Sequence, residues 1–165
     1  LENDLSRLLN YLKFSQNQSD FRFEKCQIRN ILIDLIKKNQ VFFLQKDLSL
    51  TIDGDWEIKS DKKWLSFVFS QILDNAIKYN KKGGQITIKI KENQILIRDT
   101  GIGILKEDIP RLFEEGFTGY NGHEHQKATG LGLYMAKKVL NNLELDINIE
   151  SQIDQGTQVY VTKRR

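Results

Sequence analysis

The sequence has little of several features that define other classes of protein. Its 165 residues include one cysteine, Cys26, which excludes an internal disulfide and fits a reducing compartment such as the cytosol. Apolar residues never continue for the roughly 20 positions that a membrane-spanning helix needs. A large excess of charge of one sign is absent too. The formal net charge is +3, with Lys and Arg spread along the chain, so nucleic acid is not an indicated partner.

What is present suits one compact domain. A chain of 165 residues can form a single core of ordinary size, and a hydrophobic fraction of 39% with 28% charged residues is normal for a globular protein. The sequence begins at Leu1, and we expect it to be a piece of a longer protein with a segment upstream. Residues 1–15 carry leucine at helical spacing, which predicts the end of an amphipathic helix that precedes a domain over 16–165.

Hydrophobic periodicity predicts alternating strands and helices. The predicted strands cover 21–25, 48–53, 57–59, 85–91, 94–99, 146–151 and 157–162. The predicted helices cover 28–39, a long stretch from an Asp61 cap to about Ile77, a short stretch near 108–113, and 131–143. Turns are predicted at 53–55, 92–93 and 154–156. This order predicts an α/β two-layer sandwich, with helices on one face of a mixed, mostly antiparallel sheet.

Two motifs join polar side chains to regular elements. The first, 71–79, places Gln71, Asn75 and Lys78 on one face of the long helix, which is either a binding face or an ordinary solvated one. The second, 99–103, places a carboxylate at the end of a strand, before glycines that let the backbone approach a ligand closely. Plain turns carry the same pattern, so this motif alone leaves both interpretations open.

Two further motifs follow within a glycine-rich stretch, the type of loop that is usually a lid or a binding loop. The third covers 113–117, and the fourth, 129–133, opens a helix. Glycines at a helix start leave N–H groups free to bind phosphate, although a bare loop-to-helix joint would look alike. The pattern is neither a Walker A loop nor a dinucleotide fingerprint, so the common phosphate motifs are excluded.

Taken together, the four motifs resemble the nucleotide-binding boxes of histidine kinase catalytic domains, in the gyrase, Hsp90, histidine kinase and MutL ATPase superfamily. The matching residues are Asn75 with Lys78-Tyr79, Asp99-x-Gly101-x-Gly103, Phe113 to Phe117, and Gly130-x-Gly132, within a resemblance that spans about Phe21 to Val161. It implies the Bergerat ATPase fold. Details at 63–67, 116–122 and 129–134 are further similar to the bacitracin- and antimicrobial-peptide-responsive sensor kinases that work beside ABC transporters.

The resemblance implies a site for ATP and Mg²⁺. It assigns Mg²⁺ to the side-chain oxygen of Asn75, the phosphates to Lys78, and the sugar or base to Tyr79. Asp99 would accept a hydrogen bond from the adenine amino group, and Thr157 would support Asp99 and a bridging water. The remaining implied contacts are Gly101, Gly103, Ile104, Phe113, Lys127, Thr129, Gly130, Leu131, Gly132 and Leu133. Residues 103–129 would form a mobile ATP lid, with Lys127 as a second phosphate contact.

Gln71 separates subclasses of the superfamily. Members that hydrolyse ATP carry a glutamate four residues before the Mg²⁺-binding asparagine, and an amide in its place cannot act as a carboxylate base for water. Hydrolysis should therefore be slow, as a kinase requires. Histidine kinases more often have asparagine here, so Gln71 is either a direct or water-mediated Mg²⁺ ligand or an inert polar residue.

The two histidines, His123 and His125, both fall in the proposed lid. Neither has the helical His-Glu/Asp context of a kinase phosphoacceptor, and we predict exposed loop residues without a metal site. The acceptor histidine is therefore expected upstream of Leu1. Residues 1–15 would then be the end of the second helix of the dimerisation and phosphotransfer hairpin, with an ordinary packing helix as the alternative.

The resemblance thus implies an ATP-dependent protein-histidine kinase domain. It would transfer the γ-phosphoryl group of Mg-ATP to a histidine in the upstream domain, for relay to a response regulator. The full-length parent is expected to be a homodimer in the cell membrane, in contact with an ABC transporter, and this piece a monomer on the cytoplasmic side. Two alternatives remain at this point: an ATP-hydrolysing conformational clamp of the same superfamily, and a non-catalytic nucleotide-binding pseudokinase module.

Overall fold

A computed structural model describes residues 21–115 and 132–165. Its strands are β1 (Glu24–Gln27), β2 (Ser49–Gly54), β3 (Glu57–Ser60), β4 (Gln85–Lys91), β5 (Gln94–Asp99), β6 (Leu145–Gln152) and β7 (Gly156–Lys163). Its helices are α1 (Ile28–Lys38), α2 (Gln40–Gln45), α3 (Lys62–Lys78) and α4 (Gly132–Asn142), with a 3₁₀ helix at Lys106–Arg111. The predicted helix end over 1–15 lies outside the described residues. Within the described ranges, the helices are all too short or too polar to cross a membrane.

The main sheet has five strands in the order β2-β4-β5-β7-β6. Among the described strands of this sheet, β2 and β4 are the one parallel pair and the other neighbours run antiparallel, which confirms the mixed, mostly antiparallel sheet. β1 and β3 form a separate two-stranded antiparallel sheet. The β4–β5 hairpin turns at Asn93, whose φ of 70° is a left-handed conformation that asparagine tolerates better than most residues.

The core lies between the five-stranded sheet and the helices. In β4, Ile86, Ile88 and Ile90 are buried while the residues between them face outward, as expected for a sheet with one covered face. Helix α3 lies at the centre of the helical layer, where it contacts α1, α4 and β5. The two-layer α/β sandwich is therefore confirmed.

Helix α3 begins where the sequence predicted. The side chain of Asp61 caps it, because Oδ1 accepts a hydrogen bond from the Trp64 N–H at 2.9 Å. The other oxygen, Oδ2, accepts a hydrogen bond from the Arg22 N–H at 2.7 Å. Asp61 is buried, so the incoming chain is joined directly to the N-terminus of the helix that carries the first motif.

Two details of the predicted elements were wrong. The first strand is β1 at Glu24–Gln27 instead of 21–25; Phe21 precedes it, and its ring packs on Trp64 with a centroid distance of 6.1 Å. The predicted strands on either side of the turn at 53–55 form, and they belong to different sheets. Helix α2 was not predicted, since its six residues are too few to show a helical period.

Candidate nucleotide site

Asp99 occupies the end of β5 and is only 8% exposed. Its Oδ1 accepts two backbone hydrogen bonds, from the Gly101 N–H at 2.8 Å and the Thr157 N–H at 3.3 Å. Burial raises the pKa of Asp99 to about 6, and the two hydrogen bonds act in the opposite direction. Both donors are neutral, and Oδ2 takes part in neither bond. The carboxylate is thus held in one orientation at a site where its charge is costly, as is common in binding sites.

Thr157 reaches Asp99 through its main chain. Its hydroxyl instead contacts Ser151, with an Oγ1–Oγ distance of 2.7 Å. Ser151 Oγ also donates to the Gly156 carbonyl at 3.0 Å and accepts a hydrogen bond from the Ile104 N–H at 2.8 Å. Because a serine hydroxyl has one proton, Thr157 is the donor to Ser151. The β6–β7 turn therefore holds both the Asp99 support and the loop that follows it.

The second motif packs against the end of α3. The Ile102 N–H donates to the Tyr79 carbonyl at 3.0 Å. A Cβ added at Gly101 would lie 2.3 Å from that carbonyl oxygen, so only glycine permits the approach. At Gly103 the φ of +75° also favours glycine, and a Cβ there would meet the Gln152 carbonyl. These two glycines are thus needed for contacts within the chain, whatever they do for a ligand.

The polar face of α3 is not simply solvated. Gln71 is 3% exposed, and Asn75, Lys78 and Tyr79 are partly buried near the C-terminal end of the helix. A Cβ added at Gly132, the first residue of α4, would lie 2.7 Å from Gln71 Oε1. The first motif and the end of the fourth are therefore in contact. The interpretation of this helix face as an ordinary solvated one is excluded at Gln71.

The predicted residues around the glycine-rich stretch are only partly described. Phe113 is partly buried against the core, with Lys137 Nζ 5.4 Å from the centre of its ring. Leu133 is partly buried in the first turn of α4, and so is Ile104 in the loop after β5. The other residues of this set, Lys127, Thr129, Gly130 and Leu131, lie outside the described residues, as do His123, His125 and the predicted lid from 116 onwards.

The donor set near the end of α3 fits Mg²⁺ better than a transition metal. No group of three or more His, Cys, Asp or Glu side chains that could hold a metal ion occurs within 21–115 and 132–165. The predicted site residues of the helix offer amide oxygens, from Asn75 and Gln71. Mg²⁺ bound with a nucleotide takes most of its ligands from phosphates and water, and needs only one or two from the protein. Since Gln71 Oε1 lies against Gly132, Asn75 is the better candidate ligand.

Sequence reasoning missed two residues that hold the site together. Ser151 is the cross-strand partner of Thr157, so the register of the predicted β6–β7 hairpin would have identified it. Lys46 donates hydrogen bonds to carbonyls at the end of α3, at least 31 residues further along the chain. A contact over that separation leaves no local signal in the sequence.

Comparison with known proteins agrees with this geometry. Residues 60–165 match the family of histidine kinase-, DNA gyrase B- and HSP90-like ATPases. The chain is 35% identical over 163 residues to the sensor protein BceS of Bacillus subtilis strain 168, which covers 96% of this chain and 48% of that protein. The chain thus spans about half the length of this relative.

Solved structures show the same fold at lower identity. The mycobacterial sensor histidine kinase MprB has a TM-score of 0.71 and 19% identity, over 87% of this chain and 100% of that one. Histidine kinase ThkA, in complex with the response regulator protein TrrA, has a TM-score of 0.71 and 18% identity, over 96% of this chain and 47% of that one. The chain therefore belongs to the family of histidine kinase-, DNA gyrase B- and HSP90-like ATPases, among the ATP-binding catalytic domains of sensor histidine kinases.

Proposed function

We propose that this domain binds Mg-ATP and transfers its γ-phosphoryl group to a histidine carried by an upstream domain of a longer protein. The observation that carries the proposal is the position of the buried Asp99 carboxylate. It lies beside a glycine loop that is bonded to the end of α3, where Asn75 and Lys78 lie. The hydrogen bond from the Ile102 N–H to the Tyr79 carbonyl thereby joins the proposed adenine-binding loop to the helix end that carries the proposed phosphate-binding residues.

Each side chain has a distinct role in this proposal. Asp99 accepts a hydrogen bond from the adenine amino group, which selects adenine because guanine presents an acceptor at that position. Lys78 binds the phosphates, and Asn75 holds Mg²⁺ through its amide oxygen. When bound, Mg²⁺ neutralises charge on the β- and γ-phosphate oxygens. The histidine imidazole then attacks the γ-phosphorus in line, the bond to the β–γ bridging oxygen breaks, and ADP leaves with that electron pair.

Gln71 favours transfer over hydrolysis. Its amide is buried against the start of α4 and offers no carboxylate to accept a proton from water. ATP therefore persists until the acceptor histidine arrives. An amide at this position, in place of a carboxylate, is the reason to prefer a kinase over an ATP-hydrolysing clamp.

The wider assignment rests on the relatives. We propose that the upstream segment is a dimerisation and phosphotransfer hairpin, that the parent is a dimer in the cell membrane, and that the phosphoryl group passes to a response regulator. The structure of ThkA with TrrA supports the last step, because the fold of this chain matches ThkA. The similarity to sensor kinases that work beside ABC transporters makes such a transporter a further proposed partner.

A two-component transfer assay tests the proposal. Radiolabelled ATP with Mg²⁺ should leave the 165-residue chain unlabelled and slowly label a separately supplied hairpin domain, because tethering is lost. Asn75→Ala should abolish transfer, whereas the matched control Asn148→Ala, an exposed asparagine on β6, should transfer at the wild-type rate. Acid-labile label on His123 or His125 of the chain alone would contradict the assignment. Rapid phosphate release without an acceptor would favour the clamp.

A further inference from the structure

Lys46 lies in the short segment between α2 and β2, and its side chain reaches the end of α3. Nζ donates to the carbonyls of Ile77 at 2.9 Å, Lys78 at 2.7 Å and Asn80 at 3.1 Å. An ammonium group has three protons, so each proton has its own acceptor. Carbonyls at a helix C-terminus lack partners within the helix and carry the negative end of its dipole. Lys46 therefore completes the last turn of α3 with both hydrogen bonds and charge.

Backbone hydrogen bonds also hold this turn, among them the bond from the Asn80 N–H to the Ile77 carbonyl at 3.2 Å. The Tyr79 carbonyl accepts the Ile102 N–H at 3.0 Å, from the loop that follows Asp99. The last turn is thus fixed between Lys46 and the glycine loop. If the Lys46 bonds are lost, the link through Tyr79 remains, but the main chain at Lys78 loses its own hydrogen bond to Nζ.

The adenine side of the site, formed by Asp99 and its two backbone donors, has no hydrogen bond to Lys46 among those described. Asp99 is held by the Gly101 and Thr157 N–H groups, and β5 is paired on both sides within the sheet. Lys78, in contrast, is the last residue of its helix, and its carbonyl makes the shortest of the three bonds to Lys46. A change at Lys46 should therefore act on the phosphate side of the site and leave the adenine side in place.

We propose that Lys46 is a positioning residue, which sets the last turn of α3 so that Lys78 meets the phosphates of the bound nucleotide and Asn75 meets its Mg²⁺. This inference rests on the proposed function. Lys46 is partly buried, and this burial lowers the pKa of its ammonium from the usual value. The three carbonyls compensate for the partial loss of water around the ammonium.

The test compares a ligand with phosphates to one without. In the 165-residue chain, Lys46→Met keeps the aliphatic stem and removes all three hydrogen bonds. We expect its affinity for Mg-ATP, measured by calorimetry, to fall ten- to hundredfold. Its affinity for adenosine, measured by NMR titration of backbone amide chemical shifts, should stay within about twofold of the wild type. The control Lys89→Met removes the same charge from an exposed position on β4 and should bind both ligands as the wild type does.

The outcomes separate the possible failures. Equal loss of adenosine and Mg-ATP in folded Lys46→Met would mean general damage to the pocket, and unchanged binding of both would mean that Lys46 positions nothing. Either result overturns the inference. A wild-type chain that binds neither ligand would instead overturn the proposed function.

If Lys46→Met does not fold, the same two affinities are measured on Lys46→Arg. The planar guanidinium cannot direct three protons from one nitrogen to three carbonyls. We expect it to lose three- to tenfold in affinity for Mg-ATP alone. Wild-type binding of both ligands by Lys46→Arg would overturn the inference.

Discussion

Replacing Asp99 with asparagine separates two effects of the buried charge, its cost to the stability of the domain and its contribution to ATP binding. The carboxylate is 8% exposed, and burial raises its pKa from 3.8 to about 6. Asparagine keeps an oxygen that can accept the N–H groups of Gly101 and Thr157, but it carries no charge. We therefore expect Asp99→Asn to stabilise the nucleotide-free domain at neutral pH and to weaken its binding of ATP.

The magnitude follows from the size of the pKa shift. About two pH units, at about 1.4 kcal/mol each, correspond to at most about 3 kcal/mol. Because the pKa is higher in the folded state, that state holds the proton more tightly than the unfolded chain. The associated stability is complete below about pH 4 and is lost as the pH rises through about 6. The variant avoids this loss, so its advantage should be absent near pH 4 and constant above about pH 7.

Urea unfolding of the nucleotide-free chain between pH 4 and pH 7.5 measures the stability difference, and calorimetry at pH 7.5 measures the affinity for Mg-ATP. The lost charged hydrogen bond should cost about 1.5–3 kcal/mol, or ten- to hundredfold in affinity. Asp53→Asn, at an exposed position of β2, is the control for removal of a carboxylate. A stability difference that does not depend on pH would refute the cost assigned to the buried charge of Asp99. An unchanged affinity for ATP would refute the assignment of Asp99 to the adenine site.

Two further substitutions probe the supports of the site. Gly101→Ala should lower stability by about 1–3 kcal/mol and also weaken Mg-ATP, because its Cβ would lie 2.3 Å from the Tyr79 carbonyl; a wild-type urea midpoint would show that the loop can move aside. Asp61→Ala removes the cap of α3 and the bond to the Arg22 N–H, so about 1–3 kcal/mol should be lost in urea unfolding. A loss of only a few tenths would mean that water replaces both bonds.

The parts of the fold with strong local signals were predictable. Helix α3 combines a capping aspartate with a long apolar stripe, and the β4–β5 hairpin combines the alternation of β4 with a turn at Asn93. The pairing of β2 was not predictable from its turn. Its parallel partner β4 begins 31 residues after β2 ends, whereas β3, the next strand along the chain, belongs to the other sheet. Parallel pairing is a long-range property that no local pattern contains.

The candidate site shows the same division. Motif spacing locates Asp99 and Asn75, because each lies at a recognisable place in a strand or helix. It does not reveal that Ser151 and Lys46 hold the surrounding backbone, since those contacts depend on how separate elements pack. The raised pKa of Asp99 was also out of reach, because it follows from burial in the folded state.

The bond between Asp61 and the Arg22 N–H has a mechanical consequence. It fixes the entering chain to one end of α3, while Lys78 lies at the other end, 17 residues along the helix. At 1.5 Å per residue the helix is a lever of about 25 Å, so a tilt of 2° about Asp61 displaces its far end by about 0.9 Å. Displacements of about 1 Å are large for the alignment of reacting groups. A tilt of α3 at its Asp61 end would therefore produce its largest displacement at Lys78.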